Sequence, residues 1–498
     1  MSVFDYTDVQ GLLRFGYNKM TAASYALLRV RNVTEARSWL RSAPVTTAEK
    51  RAPLPRTALN VGFTAPGLAA LGIPDPVIAQ FSHEFRSGMA LESRSRQLGD
   101  IEASAPVHWA WGGPGREPHL AVMFFGEPDA YNDFVSRTKG AAWNEAFETL
   151  DCLGTSDFKG HEPFGFVDGI SQPDIDWDQK RIAPCIQLDY TNIVSLGEFL
   201  LGYRNEYGKY ADRPLIPDNS AAGLLPVAED APAMKDLGRN GTYLVMRQLR
   251  QDVRLFWRFV TEQAECNAAM AEDLAAAMVG RKLEGDPLEP ILAGSIPGIH
   301  LPKPGQPEQN RFTFDRDPLG NRCPFGAHVR RANPRNTDFP DHPPNVIAKL
   351  ITMLGFGPKG FRDDLSSSVR FHRILRRGRE YGALVTREQA LAPAAIPDSE
   401  SGLHFICLNA DICRQFEFLQ NAWINSTKFS GLTGESDPLL GNRAALGGCP
   451  VTGDFTMQSS SGLRRRISGV PQFIQVRGGA YFFMPGIRAL RYIATSAT

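Results

Sequence analysis

Residues 161–173 read HEPFGFVDGISQP, and within them a single carboxylate, Asp168, stands in a glycine-hinged turn flanked by Phe164, Phe166, Val167 and Ile170. An Asx-turn, in which the carboxylate bonds its own backbone, would account for an isolated Asp-Gly. The apolar flank argues for more, because a buried carboxylate needs a partner or must take up a proton. A second stretch, CPFGAHVRRANPR at 323–335, holds His328, one of nine histidines, between a Gly-Ala step and a pair of arginines. Cys323 and His328 lack the further Cys/His pair that zinc requires. A single imidazole is, however, the usual protein ligand of heme iron, because the porphyrin supplies the other four. The third stretch, FHRILRRGREYG at 371–382, closes a run in which Arg370, Arg373, Arg376, Arg377 and Arg379 surround Phe371, Ile374 and Leu375. Such a cluster is either a solvated basic face or a set of partners for carboxylates such as heme propionates.

These side chains sit in a 498-residue chain, long enough that two domains are the natural expectation. Lys plus Arg and Asp plus Glu are both 54, so no net field draws the protein to nucleic acid or to an anionic membrane. The N-terminal MSVFDYTDVQ lacks the basic and apolar segments of a secretory signal, and no apolar run reaches membrane-spanning length. The seven scattered cysteines show no CxxC spacing, which points to a reducing cytoplasm rather than a disulfide framework.

Two series of elements have to position the three stretches. SYALLRVRN (24–32) and TYLVMRQLRQD (242–252) both read as β-strands ending in turns. The first is followed by LNVGFTAPGLAALG (59–72), a strand whose Thr64-Ala65-Pro66 opens a helix. The second is followed by LHFICLNADICRQFEFLQNAW (403–423), again a strand running into a helical pattern, and LAVMFFG (120–126) and AYFFMPG (480–486) close the two halves. The Ala-rich 264–280 segment predicts a helix. Strands and helices interleaved twice over predict two related α+β units. The Pro-, Gly- and Ala-rich 211–240 segment marks their boundary, giving domains 1–225 and 226–498. Residues 283–322 and 336–345 read as long connections.

Taken in order, GFVDGISQP, CPFGAHVRRANPR and RILRRGREYG resemble the signatures of the dye-decolorizing peroxidase family. DVQGLLRFGY (8–17) and NADICRQFEFLQNAWIN (409–425) resemble its larger cytoplasmic-type members, so the likeness spans most of the chain. The resemblance implies an α+β fold of two ferredoxin-like domains packed through antiparallel sheets, with heme b (iron protoporphyrin IX) in the C-terminal one. It implies His328 as the iron ligand, Asp168 as the distal acid/base and Arg376 as the distal arginine. Arg335 is implied as a propionate contact, and Asp411 as the acid bonded to the other nitrogen of His328. His328 and Arg376 are 48 residues apart, farther than in compact members, which leaves Arg373 and Arg377 as alternatives to Arg376. The implied activity is hydrogen peroxide-driven oxidation of bulky aromatic, dye-like or phenolic donors through a ferryl intermediate. A non-catalytic heme carrier on the same fold is the rival reading, although a carrier needs neither Asp168 nor Arg376. A heme-free hydrolase is disfavoured by the lack of a G-x-S-x-G motif. The sequence leaves the physiological donor open, and homo-oligomer or monomer likewise.

Overall fold

The computed structural model describes residues 4–179, 192–219, 221–291, 308–314, 316–335, 369–393, 399–445, 451–459 and 462–495. Residues 292–307 and 315 of the 283–322 connection, the whole of 336–368, Cys185 and Cys449 lie outside these residues.

The N-terminal unit contains β1 (Ala22–Val30), α1 (Val33–Ser42), β2 (Thr57–Phe63), β3 (Leu120–Gly126), α2 (Pro128–Lys139) and β4 (Phe147–Gly154). The C-terminal unit contains β5 (Thr242–Gln251), the helices α3 (Val253–Gln263) and α4 (Ala268–Val279), α5 (His328–Ala332), and the edge pieces β6 (Leu375–Arg376) and β7 (Arg379–Tyr381). It continues with β8 (Gly402–Asn409), β9 (Ile474–Met484) and α6 (Ile487–Thr495). Counting β6 and β7 together as the second strand of the later unit, both sheets run antiparallel in the spatial order 2-3-1-4. This is the ferredoxin-like arrangement, present twice. The two sheets join where β9 meets β2 through the single pair Phe483–Phe63.

The strand correspondences differ by one from the sequence-based expectation. The counterpart of 57–63 is the short edge pair 375–381, not 403–409, and LAVMFFG is a third strand whereas AYFFMPG belongs to a fourth. Apolar content explains the misreading. β3 and β8 are both interior strands with strongly apolar runs, while β6 and β7 are short, arginine-rich edges with no such signal.

Alternation divides the sheet residues between two faces: Leu28, Val61, Phe124 and Phe483 pack in one core cluster, and Leu27, Met123, Leu244 and Phe482 in the other. Helix starts follow local chemistry. Thr64 accepts from the Gly67 N–H, Asp252 caps α3 through Leu255 N–H, and Asn267 caps α4, which ends on left-handed Gly280. The segment after β8 is not an ordinary α-helix. Residues Cys413–Glu417 and Leu419–Asn425 are π-helical, with Glu417 N–H bonded to Ile412 C=O at 2.9 Å. This wider turn brings Phe416, Leu419, Gln420, Trp423 and Ile424 to one cavity wall.

Candidate active site

That cavity encloses about 1640 Å³ of empty space including its mouth, and Asp168, Arg376 and His328 all line it. Its remaining walls are largely apolar, with Phe166, Val279, Val329, Leu403, Phe405, Leu440 and Ile474.

Asp168 reaches the cavity on a tight loop. Its N–H bonds Gly160 C=O at 3.0 Å, and His161 bridges Val167 across the loop. Gly165 and Gly169 take φ of +101° and +78°, which L side chains rarely adopt. A Cβ on Gly169 would meet nothing within 4 Å, so the backbone conformation, rather than close approach, requires glycine there. Arg376 Nη1 donates to Asp168 Oδ1 at 2.8 Å. Both side chains keep about a third of their exposure, toward the cavity. Burial would raise the Asp168 carboxyl, but the Arg376 charge, the Gly169 N–H and the Arg376 hydrogen bond outweigh it and hold the group below the usual carboxylate range.

Gln172 of the same loop fixes the arginine. Its side-chain amide accepts from Arg376 N–H at 3.0 Å and donates to Arg376 C=O at 3.1 Å, continuing the edge of β6 as a strand would. The neighbouring arginines have other partners. Arg377 donates to the carbonyls of Leu12 and Leu13, and Arg373 donates to Asn192 Oδ1 at 2.8 Å. Among the three, Arg376 is the one paired with Asp168.

His328 opens α5, and its Nδ1 lies 2.9 Å from Oδ2 of Asp437. Asp437 is fully buried, and its Oδ1 accepts the N–H groups of Leu439 and Leu440, each at 2.9 Å. Burial would raise this carboxyl, but the imidazole and the Leu440 N–H hold it below the usual range. An ionised carboxylate can only accept, so Nδ1 carries a proton, which in the neutral imidazole leaves the lone pair on Nε2, on the opposite side of the ring.

The expectation for Asp411 is therefore corrected. Its carboxylate caps the π-helical segment, accepting from Arg414 N–H at 2.9 Å and lying 3.4 Å from Arg414 Nε. The short side chain is engaged at that helix start, and Asp437, 26 positions on, occupies the place beside His328. Arg335 is also placed differently from the expectation. It does not line the cavity; it donates to the carbonyls of Asn310 and Phe312 and stacks 3.7 Å from the Phe312 ring. Arg281, which follows the Gly280 cap of α4, does line the cavity. Arg281 Nη1 donates to Gly285 and Gln309 carbonyls, while its buried Nη2 has no partner among the described residues. Burial and the like charges of Arg335 and Arg376 weaken its hold on its proton. A buried guanidinium nitrogen on the wall of an apolar slot, in want of an anion, suits the propionate of a porphyrin.

The chain is 30% identical to the multifunctional dye peroxidase of an Amycolatopsis species over 454 residues, covering 87% of this chain and 81% of that one. It belongs to the dye-decolorizing peroxidase family. No protein-family model matches the chain. Peroxidase 2 of Mycetinis scorodonius is 28% identical over 97% of this chain and 86% of its own. A fungal dye-decolorizing peroxidase structure from Auricularia auricula-judae superposes with a TM-score of 0.72 at 25% identity, covering all of both chains. Another peroxidase of this fold, at TM-score 0.69 and 24% identity, is solved as a complex with 2,6-dimethoxyphenol. Dye-decolorizing peroxidases are heme enzymes, and this one is a peroxidase acting on hydrogen peroxide and aromatic substrates.

Proposed function

We propose that the cavity holds heme b on His328, with Asp168 and Arg376 as the distal pair and Arg281 as a propionate partner, for the oxidation of bulky phenolic or dye-like donors. The observation that carries this reading is the convergence of two charge pairs on one apolar cavity: Asp168 with Arg376, and His328 with Asp437. When bound, iron porphyrin supplies the redox centre that removes two electrons from donors for each hydrogen peroxide reduced.

The chain's own residues do the rest. The Asp168 carboxylate, ionised in mildly acid solution, takes a proton from one peroxide oxygen and returns it to the other, as general base and then acid. Arg376 cannot titrate and aims fixed donors at the leaving oxygen, where negative charge develops. Gln172 keeps that guanidinium from drifting along the edge strand. Asp437 orients the imidazole and would raise its basicity as an iron ligand. The apolar walls keep bulk water from competing for these donors. A carrier would need His328 alone, so the Asp168–Arg376 pair favours the enzyme over heme storage. The five described cysteines are free, which supports a reducing, cytoplasmic setting as part of the same proposal. Among the described residues no helix is long and apolar enough to cross a membrane.

The test is an absorption spectrum of the purified protein before and after hydrogen peroxide, with 2,6-dimethoxyphenol as donor. A Soret band that changes rapidly on peroxide addition and recovers as the phenol is oxidised is expected. Slow bleaching without phenol oxidation would favour the carrier.

A further inference from the structure

Glu162, six residues before Asp168, lines the reaction cavity and has no part in the proton transfers assigned above. It sits in a small hairpin. Asp168 N–H bonds Gly160 C=O at 3.0 Å, His161 bridges Val167, and Glu162 N–H bonds Phe166 C=O at 2.8 Å. Pro163, Phe164 and Gly165 form the tip.

Proline has no N–H to satisfy, and the N–H groups of the next three residues all end on Glu162. Gly165 donates to its C=O at 2.8 Å, Phe164 to Oε2 at 3.1 Å and Phe166 to Oε1 at 3.0 Å. Phe164 and Phe166 are buried, so these donors need an acceptor inside the protein. The Glu162 side chain supplies it from within the hairpin.

The same carboxylate fastens the hairpin to the C-terminal unit. Gln251, the last residue of β5, donates its side-chain amide to Oε2 at 2.8 Å. Trp257 Nε1 of α3 donates to Phe164 C=O at 3.1 Å, and the Phe164 and Phe256 ring centroids are 4.5 Å apart. Arg376 and His328 belong to this unit too, whereas the hairpin follows β4 of the N-terminal unit. The bonds to β5 and α3 therefore help to set where Asp168 stands relative to both.

We propose that Glu162 is a positioning residue for the peroxide reaction: it locks the hairpin tip onto β5 and so holds the Asp168 carboxylate against Arg376. The proposal rests on the distal reading of Asp168 and deepens it. The role demands reach more than charge, and two near-isosteric variants separate these. Glu162→Gln gives up the charge but keeps the length and one acceptor oxygen, enough for the Phe164 and Gln251 bonds. Glu162→Asp keeps the charge but falls one methylene short of the tip.

The test is the stopped-flow rate of the holoenzyme with hydrogen peroxide at pH 8, where the Glu162 carboxyl, pushed up by burial to about 7, is ionised. Glu162→Gln is expected to slow the reaction by about threefold, having lost one hydrogen bond of three. Glu162→Asp is expected to slow it by about tenfold or more, as small misplacements of a reacting group do. In the Asp168→Asn background Glu162→Asp should add nothing, because its effect passes through the residue already changed. Heme content and the Soret band should match the parent in both single variants. A parent-like rate in Glu162→Asp, a loss in Glu162→Gln as large as in Glu162→Asp, or full additivity with Asp168→Asn would each overturn the proposal. Loss of heme from Glu162→Gln would overturn it too, making the residue a support of the fold alone. A parent-like rate in Asp168→Asn itself would overturn the distal reading, and the proposal with it.

Discussion

Asp168→Asn will react with hydrogen peroxide about a hundred to ten thousand times more slowly than the parent, the usual range for losing general acid–base help. The amide can no longer accept the peroxide proton, while the loop that carries it, held by the Gly160, His161 and Val167 backbone, stays in place. Arg376→Leu is expected to be slow for a different reason, and the pH dependence separates the two. In the parent, Asp168 is held below the ordinary carboxylate range, because the arginine outweighs burial. A base works only when ionised, so the peroxide rate should stay high in mildly acid solution and fall only as the pH drops through that depressed value. Removing Arg376 leaves burial as the leading influence, which raises a carboxyl. The acid limb of Arg376→Leu should therefore move to higher pH. Stopped-flow mixing with peroxide between pH 3 and pH 7 reads both effects. Parent-like rates in both variants would show that the distal pair has been misassigned.

The second large effect belongs to Asp437. Asp437→Asn replaces the acceptor for the His328 Nδ1 proton by an uncharged amide, while one side-chain oxygen remains to cap Leu439 and Leu440. Changes at such outer partners typically cost about 10–100-fold in metal affinity or activity. The reduction potential of the bound iron should rise, because a less basic imidazole stabilises the ferric state less. Asp411→Asn is the matched control. Its carboxylate touches Arg414, not the histidine, so the potential should stay at the parent value. A shift in Asp411→Asn with none in Asp437→Asn would reverse the two assignments.

The contrast between these two aspartates shows what a sequence reveals and what it hides. Asp168 and Arg376 are legible because their surroundings are unusual: a carboxylate between left-handed glycines, and an arginine run on a short strand. His328 stands out because no second metal-binding pair accompanies it. The duplicated α+β pattern is legible from β1 and β5, which are long and rich in Tyr, Leu and Val. Asp437 is not, because the contact it makes spans 109 residues and local spacing carries no information about it. Arg281 is hidden for the same reason, since an arginine after a helix-capping glycine looks like solvent-facing punctuation. The choice among Arg373, Arg376 and Arg377 depends on Gln172, Asn192 and the Leu12–Leu13 carbonyls, all distant in sequence. The π-helical turn is equally silent, because its composition reads as ordinary helix while its bonding decides which side chains face the cavity.

The central claim is that His328 ligates heme iron in the cavity beneath the Asp168–Arg376 pair. Heme content per chain, measured with the absorption spectrum for the parent and for His328→Ala prepared side by side, tests it most directly. The parent is expected to carry one heme with the spectrum of an imidazole-ligated iron. The variant is expected to lose most of its heme, or to keep it with that ligand signature gone. Full heme occupancy in His328→Ala with an unchanged spectrum would contradict the account.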